Sequence, residues 1–98
     1  MTLDDILQDI YALETEMRSY ERTYGVLSAT FIEAYSSGEE PPDDSWVRDW
    51  TAWASGYHLW LRRRSQYDSV IRSLRQEAST MSGVIARTAR HEPIPVPA

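Results

Sequence analysis

The chain of 98 residues contains no cysteine and no lysine, and phenylalanine occurs only once. The absence of cysteine excludes a disulfide scaffold, a thiolate zinc site and a cysteine nucleophile. No apolar run approaches the ~18–20 residues that cross a bilayer, and the first residues do not read as a signal peptide. We therefore expect a cytoplasmic protein without membrane association, and a length near the common ~100–150 residues of a domain predicts one domain.

Aromatic side chains and arginine are abundant instead, with four Trp, six Tyr and ten Arg. Residues 1–44 carry eleven acids against two Arg, a net charge of -9, whereas residues 45–98 carry four acids against eight Arg, a net charge of +4. The total of -5 is too acidic for a general nucleic-acid coat protein. The two halves attract each other if they fold side by side.

Apolar residues in the first third of the chain recur with alternating steps of three and four, the heptad period of a packed helix. This first stripe consists of Leu3, Ile6, Ile10, Leu13, Met17, Tyr20, Tyr24, Leu27, Phe31 and Ala34. It predicts a helix over residues 3–36. Its register continues past Gly25, which favours a continuous or kinked helix; alternatively, Gly25 ends the helix and Ser28 caps a second, short one.

A second stripe has the same period and predicts a helix over residues 45–82, after a loop at 37–44 that contains Pro41-Pro42. Its members are Trp46, Trp50, Trp53, Tyr57, Trp60, Arg64, Tyr67, Ile71, Leu74, Ala78, Met81 and Ile85. Residues 89–98 have a proline at every second position from 93 to 97, so we expect an extended tail that is disordered when unbound.

The short loop between two long helices predicts an all-α antiparallel hairpin over residues 1–88. Folding about residues 37–44 sets Tyr24 near Tyr57 and Leu3 near Ala78. Two helices of ~50 Å cannot cover every aromatic side chain on their stripes. We therefore expect a homodimer that forms a four-helix bundle, or a hairpin docked on another protein.

The candidate interface residues lie on the second stripe, on its flank and in the tail. They are Val47, Trp50, Ala54, Tyr57, Leu61, Arg64, Tyr67, Ile71, Ile94 and Val96. Arg64 interrupts an apolar stripe, so we expect it to pair with an acid such as Glu14, Glu16 or Glu21, while Arg62 and Arg63 are solvated.

Motifs for chemistry are absent from the sequence. It has no glycine-rich phosphate loop, no nucleophile elbow and no metal-ligand spacing, and its two histidines, His58 and His91, stand apart. We therefore predict no catalytic residue, no cofactor, no metal and no enzymatic activity. The four Trp residues on a helical stripe favour a core over a base-stacking platform.

Several motifs resemble a group of small bacterial helical proteins that are often encoded beside ribonuclease-type toxins. They are Tyr24-Gly25, Phe31-x-x-x-Tyr35, Gly38, the acidic proline loop and Trp53-Ala54-x-x-Tyr57, within residues 13–70. The resemblance implies an antitoxin that neutralises a cognate toxin by direct binding. The alternatives are a homodimeric scaffold and a nucleic-acid binder that uses the Arg-bearing second helix.

Overall fold

The computed structural model describes residues 1–97, which form four α-helices and no strand longer than one isolated bridge. The helices are α1 (Leu3–Tyr24), α2 (Ser28–Ser36), α3 (Asp44–Ala78) and α4 (Met81–Thr88). The prediction of an all-α fold is confirmed, and α1 packs with α3. No helix within the described residues combines the length and apolar character of a membrane crossing.

Contacts divide the chain into two units. The central unit comprises residues 11–61, and the terminal unit comprises residues 1–10 with residues from 62 onward. Nine acids and three Arg give the central unit a net charge of -6, whereas six acids and seven Arg give the terminal unit +1. The acidic surplus thus belongs to one unit.

The first predicted helix is interrupted after Tyr24. Gly25 has φ +77°, a left-handed conformation that ends an α-helix, and its N–H still donates to the carbonyl of Glu21. Leu27 is extended and α2 begins at Ser28, so the structure has the short second helix rather than a continuous one. Leu27, predicted to lie on the apolar stripe, is consequently 68% exposed.

The second predicted helix is also shorter than residues 45–82. Ser79 has φ +65°, and the Oγ1 of Thr80 accepts a hydrogen bond from the N–H of Gly83 at 3.0 Å, which starts α4. A Cβ on residue 83 would lie 2.9 Å from the Cβ of Ala78. Glycine at this position therefore permits the tight turn between α3 and α4.

The terminal unit has a small apolar core that includes a residue of the tail. Its buried residues are Leu3, Val70, Leu74, Val84 and Ile94. The N–H of Leu3 donates to the carbonyl of Ile94 at 2.8 Å, and the N–H of Val96 donates to the carbonyl of Met1 at 3.1 Å. Residues 94–96 of the tail thus pack within this unit, because their extended backbone pairs with residues 1–3 while Ile94 enters the core.

Arg63 makes a partly buried ion pair with an acid of α1. Its Nε lies 2.8 Å from the Oδ2 of Asp9, and its side chain is only 17% exposed. Arg64 is exposed. The prediction that Arg63 is solvated was therefore wrong, because Asp9 of α1 lies within reach of its guanidinium.

Candidate functional site

An aromatic cluster forms the core of the central unit. Its buried members are Met17, Phe31, Trp50, Trp53 and Ala54. The rings of Trp53 and Phe31 are parallel within 1° and their centroids lie 4.0 Å apart, and Trp53 is only 1% exposed. Tyr20 and Tyr24 also stack on Trp53 at 5.7 Å and 5.8 Å. Trp50 and Trp53 are therefore core residues and do not form an open platform for bases.

The pairing of α1 with α3 in this unit differs from the predicted register. Tyr24 contacts Trp46 and Trp53, whereas it was expected near Tyr57. Phe31, on α2, does lie against Trp50, its predicted neighbour. The chain leaves the helical path between α1 and α2, so the two helices do not share the single register that the stripe implied.

A buried hydrogen-bond chain holds α2 in place. Leu27 supplies no side-chain cap, and the Oε2 of Glu21 instead accepts from the N–H of Ser28 at 2.9 Å and from its hydroxyl at 2.7 Å. The Nε1–H of Trp53 donates to the Oγ of Ser28 at 2.9 Å. One serine therefore connects the last turn of α1, the first turn of α2 and the first third of α3.

Replacing Ser28 with alanine should destabilise the fold by about 1–3 kcal/mol, because it leaves the buried indole N–H of Trp53 without an acceptor. Ser36→Ala, at the exposed end of the same helix, is the matched control and should change the free energy of unfolding far less. Chemical denaturation of both variants measures the difference, and equal effects would contradict a structural role for this chain of hydrogen bonds.

Tyr24 is linked to α3 by a second polar contact. Its hydroxyl donates to the Oδ2 of Asp49 at 2.7 Å. This hydrogen bond, together with burial and the nearby negative charge, raises the pKa of Tyr24 to about 12. The contact therefore stabilises the protonated phenol in the folded chain.

The stability of the chain should fall as the pH rises from about 10 to about 12. In this window the folded chain keeps the Tyr24 proton that an unfolded tyrosine, with a pKa near 10.0, has lost. The contribution is complete below pH 10.0 and disappears as the pH passes the folded pKa. Tyr24→Phe should remove this part of the pH dependence in denaturation curves, leaving the smaller part due to Tyr20, whose pKa is raised by burial. If the free energy of unfolding of Tyr24→Phe falls between pH 10 and pH 12 as steeply as that of the wild type, Tyr24 is not the source of this pH dependence.

The predicted interface residues of the central unit are not all exposed. Val47 is 46% exposed and Leu61 is 44% exposed. Trp50 and Ala54, between them in sequence, are buried at 9% and 5% exposure, and Tyr57 is partly buried. The chain therefore covers the middle of the predicted strip, and its two ends remain open.

The remaining interface candidates belong to the terminal unit. Arg64 is exposed, while Tyr67 and Ile71 are partly buried against the core. Ile94 is buried in that core and Val96 packs on its edge. The two tail residues thus contact their own chain and are not free for a partner.

Exposed apolar residues of the central unit that the sequence interpretation did not select lie within α1, between α1 and α2, and in the first turn of α3. They are Tyr11, Val26, Leu27 and Trp46, which are 37–68% exposed. The alternative in which Gly25 ends the helix would have identified Val26 and Leu27, because residues between two helices lose their packing face. No comparable signal marks Trp46.

Two grooves open on the surface of the central unit. The loop groove, of about 510 Å³, is lined by Tyr35, Glu39, Glu40, Pro41, Val47 and Trp50, with Asp44 at the start of α3. The second groove, of about 310 Å³, is lined among others by Glu14, Met17, Arg18, Leu27, Tyr57 and Trp60. Both combine apolar side chains with carboxylates, a mixture suited to contact with protein.

Comparison with known proteins leaves the family open. No family model matches the chain, and no curated protein or solved structure matches it. Within residues 1–97, no three His, Asp or Glu side chains are grouped to hold a metal ion.

Proposed function

We propose that the chain is a protein-interaction module of the antitoxin type, which neutralises a cognate toxin by direct binding through its central unit. The observation that carries this proposal is the coincidence of exposed apolar side chains with the acidic surplus. Trp46 and Val47 are 37% and 46% exposed in the unit whose net charge is -6. Interfaces commonly place aromatic and apolar residues at the centre of a charged rim.

The charge of the central unit also indicates the kind of partner. A ribonuclease-type toxin must present cations to the phosphates of RNA. An acidic surface is electrostatically complementary to such a partner, which favours its encounter and selects it over acidic proteins. The apolar residues then supply the affinity, because a few buried aromatic or aliphatic anchors carry most of the binding energy at an interface.

Co-expression with the product of the neighbouring gene tests the proposal. The wild-type chain should co-purify with that product as a stable complex. Val47→Asp should abolish the complex, since it places a carboxylate at the centre of the proposed contact. Ile85→Asp, at a 52% exposed position in the terminal unit, is the matched control and should leave the complex intact. The proposal is wrong if the wild-type chain does not bind the product. It is also wrong if Val47→Asp and Ile85→Asp weaken the complex equally.

A homodimeric antiparallel hairpin is the second candidate. It is favoured by the packing of α1 with α3 and by the exposure of Val47 and Leu61, which lie 14 residues, or roughly 21 Å, apart along α3. Two α3 helices in contact would cover these residues and give a four-helix bundle. Sedimentation of the isolated chain at micromolar concentration decides this point, and a monomer excludes the bundle.

A further inference from the structure

We infer that the loop groove receives a cationic segment of the partner protein, with arginine or lysine stems against its apolar wall and their charged heads against its acidic rim. This inference rests on the proposed function and deepens it, because it names the contact and its chemistry. Three observations carry it: uncommitted carboxylates, an apolar wall and an unpartnered indole donor.

Three acids of the loop groove are not used by the fold. Within residues 1–97, the carboxylates of Glu39, Glu40 and Asp44 make no hydrogen bond or ion pair. Their neighbour Asp43 is used, because it accepts from the N–H of Ser45 at 2.8 Å, and this bond lowers its pKa. Three unpaired carboxylates beside one groove repel each other, and bound cations relieve that repulsion.

The wall of the loop groove suits the stem of a basic side chain. Val47 is 46% exposed there, and Tyr35 and Pro41 are partly buried. Arginine and lysine lay their methylene stems along apolar surface and keep the charged head near carboxylates or water. An aromatic ring such as Tyr35 adds attraction for a cation within about 6 Å of its centroid.

Trp50 provides an unpartnered polar group on the same wall. Its side chain is 9% exposed, and its Nε1–H is buried without a hydrogen-bond partner within residues 1–97. An unsatisfied buried donor is unfavourable. Because this N–H is enclosed in the core, a backbone carbonyl of a segment lying in the groove reaches it only when the ring of Trp50 turns toward the groove.

The second groove is less suited to such a segment. Its carboxylates are committed, since Glu14 accepts from the indole of Trp60 at 3.2 Å and Glu21 holds Ser28. Arg18 also lies on its wall and repels a basic ligand. The loop groove, in contrast, has no cation among its lining residues and adjoins the C-terminal end of α2, where the helix dipole favours positive charge.

Titration of the full-length chain with fluorescein-labelled nona-arginine, followed by anisotropy, tests the inference. Glu39→Gln with Glu40→Gln should weaken binding by about tenfold, the factor that corresponds to roughly 1.4 kcal/mol. The matched control, Glu16→Gln with Glu33→Gln, removes the same charge from exposed positions of the same unit and should change binding less than about twofold. Trp50→Phe, which keeps a ring and removes the donor, should also weaken binding.

Equal losses in the two double variants would show diffuse attraction to an acidic protein and would overturn the inference, as would no binding by the wild-type chain. The result is separable from the proposed function. A toxin complex that is unaffected by Glu39→Gln with Glu40→Gln would overturn the groove assignment and leave the antitoxin proposal standing. Peptide binding that depends on Glu39 and Glu40, in a chain that forms no toxin complex, would support the groove assignment and overturn the antitoxin proposal. A change in self-association rather than in peptide binding would assign the groove to a second copy, against the inference.

Discussion

Replacing Trp53 with alanine is expected to lower the free energy of unfolding by about 3–5 kcal/mol, the usual cost of deleting a large core aromatic. Trp53 is 1% exposed, and Phe31, Tyr20 and Tyr24 stack on its ring. The substitution leaves a cavity among these rings and also removes the donor to Ser28. Denaturation followed by far-ultraviolet circular dichroism measures the loss.

Trp46→Ala is the control for this prediction, because it makes the same chemical change in the same helix at a site that is 37% exposed. It should cost clearly less than Trp53→Ala, since less of its surface is removed from water on folding. If Trp53→Ala melts like the wild type while binding to the proposed partner is lost, Trp53 is an exposed anchor and the assignment of the aromatic core is wrong.

The second large effect is expected in the terminal unit, where Leu74→Ala should destabilise the chain by about 2–5 kcal/mol. Leu74 is 4% exposed and belongs to the core with Leu3, Val84 and Ile94. Shortening it leaves a cavity where α1, α4 and the tail converge on α3. The cost depends on how far these segments collapse into the space.

Leu61→Ala is the matched control, because it is the same substitution in α3 at a position that is 44% exposed. It should change the free energy of unfolding by less than about 1 kcal/mol. Comparable losses for the two variants would mean that the core of the terminal unit is not organised around Leu74. A loss confined to Leu74→Ala would also support the packing of the tail, whose Ile94 lies in the same core.

The helical class and most of the core were predictable from periodicity. Alternating steps of three and four placed Leu3, Met17, Phe31, Trp53 and Leu74 on apolar stripes, and all five are buried. Such spacing puts side chains on one face of any helix, whatever that helix packs against. This part of the prediction therefore did not depend on knowing the tertiary contacts.

The positions where the helices end were less predictable. Each depends on a few residues whose sequence is compatible with more than one backbone conformation. Gly25 is compatible with a kinked helix or with a helix end, and the hydrogen bonds of Ser28 to Glu21 and Trp53 stabilise the second solution. Those bonds join residues far apart in sequence, which local propensity does not register. Ser79 carries no sequence signal for its positive φ, and the close approach of Gly83 to Ala78 became visible only in the folded chain.

The candidate site also has a part that the sequence predicted and a part that it did not. Val47 and Leu61 were predicted as interface residues and are exposed, whereas Trp50 and Ala54 were predicted on the same strip and are buried. The loop groove was not predicted at all. Its acids were visible in the sequence, but which carboxylates the fold uses, as with Asp43, depends on hydrogen bonds that form only on folding.

The sequence by itself determined that the chain is helical, that its aromatic residues pack together, and that its first half is acidic, because these properties follow from composition and from the 3.6-residue period of the helix. The tertiary structure decided where the helices end, which acid pairs with Arg63, and that Ile94 closes a core. It also decided which apolar residues remain exposed on the acidic unit. These outcomes depend on contacts between residues far apart in sequence. Such contacts form only when the chain has folded.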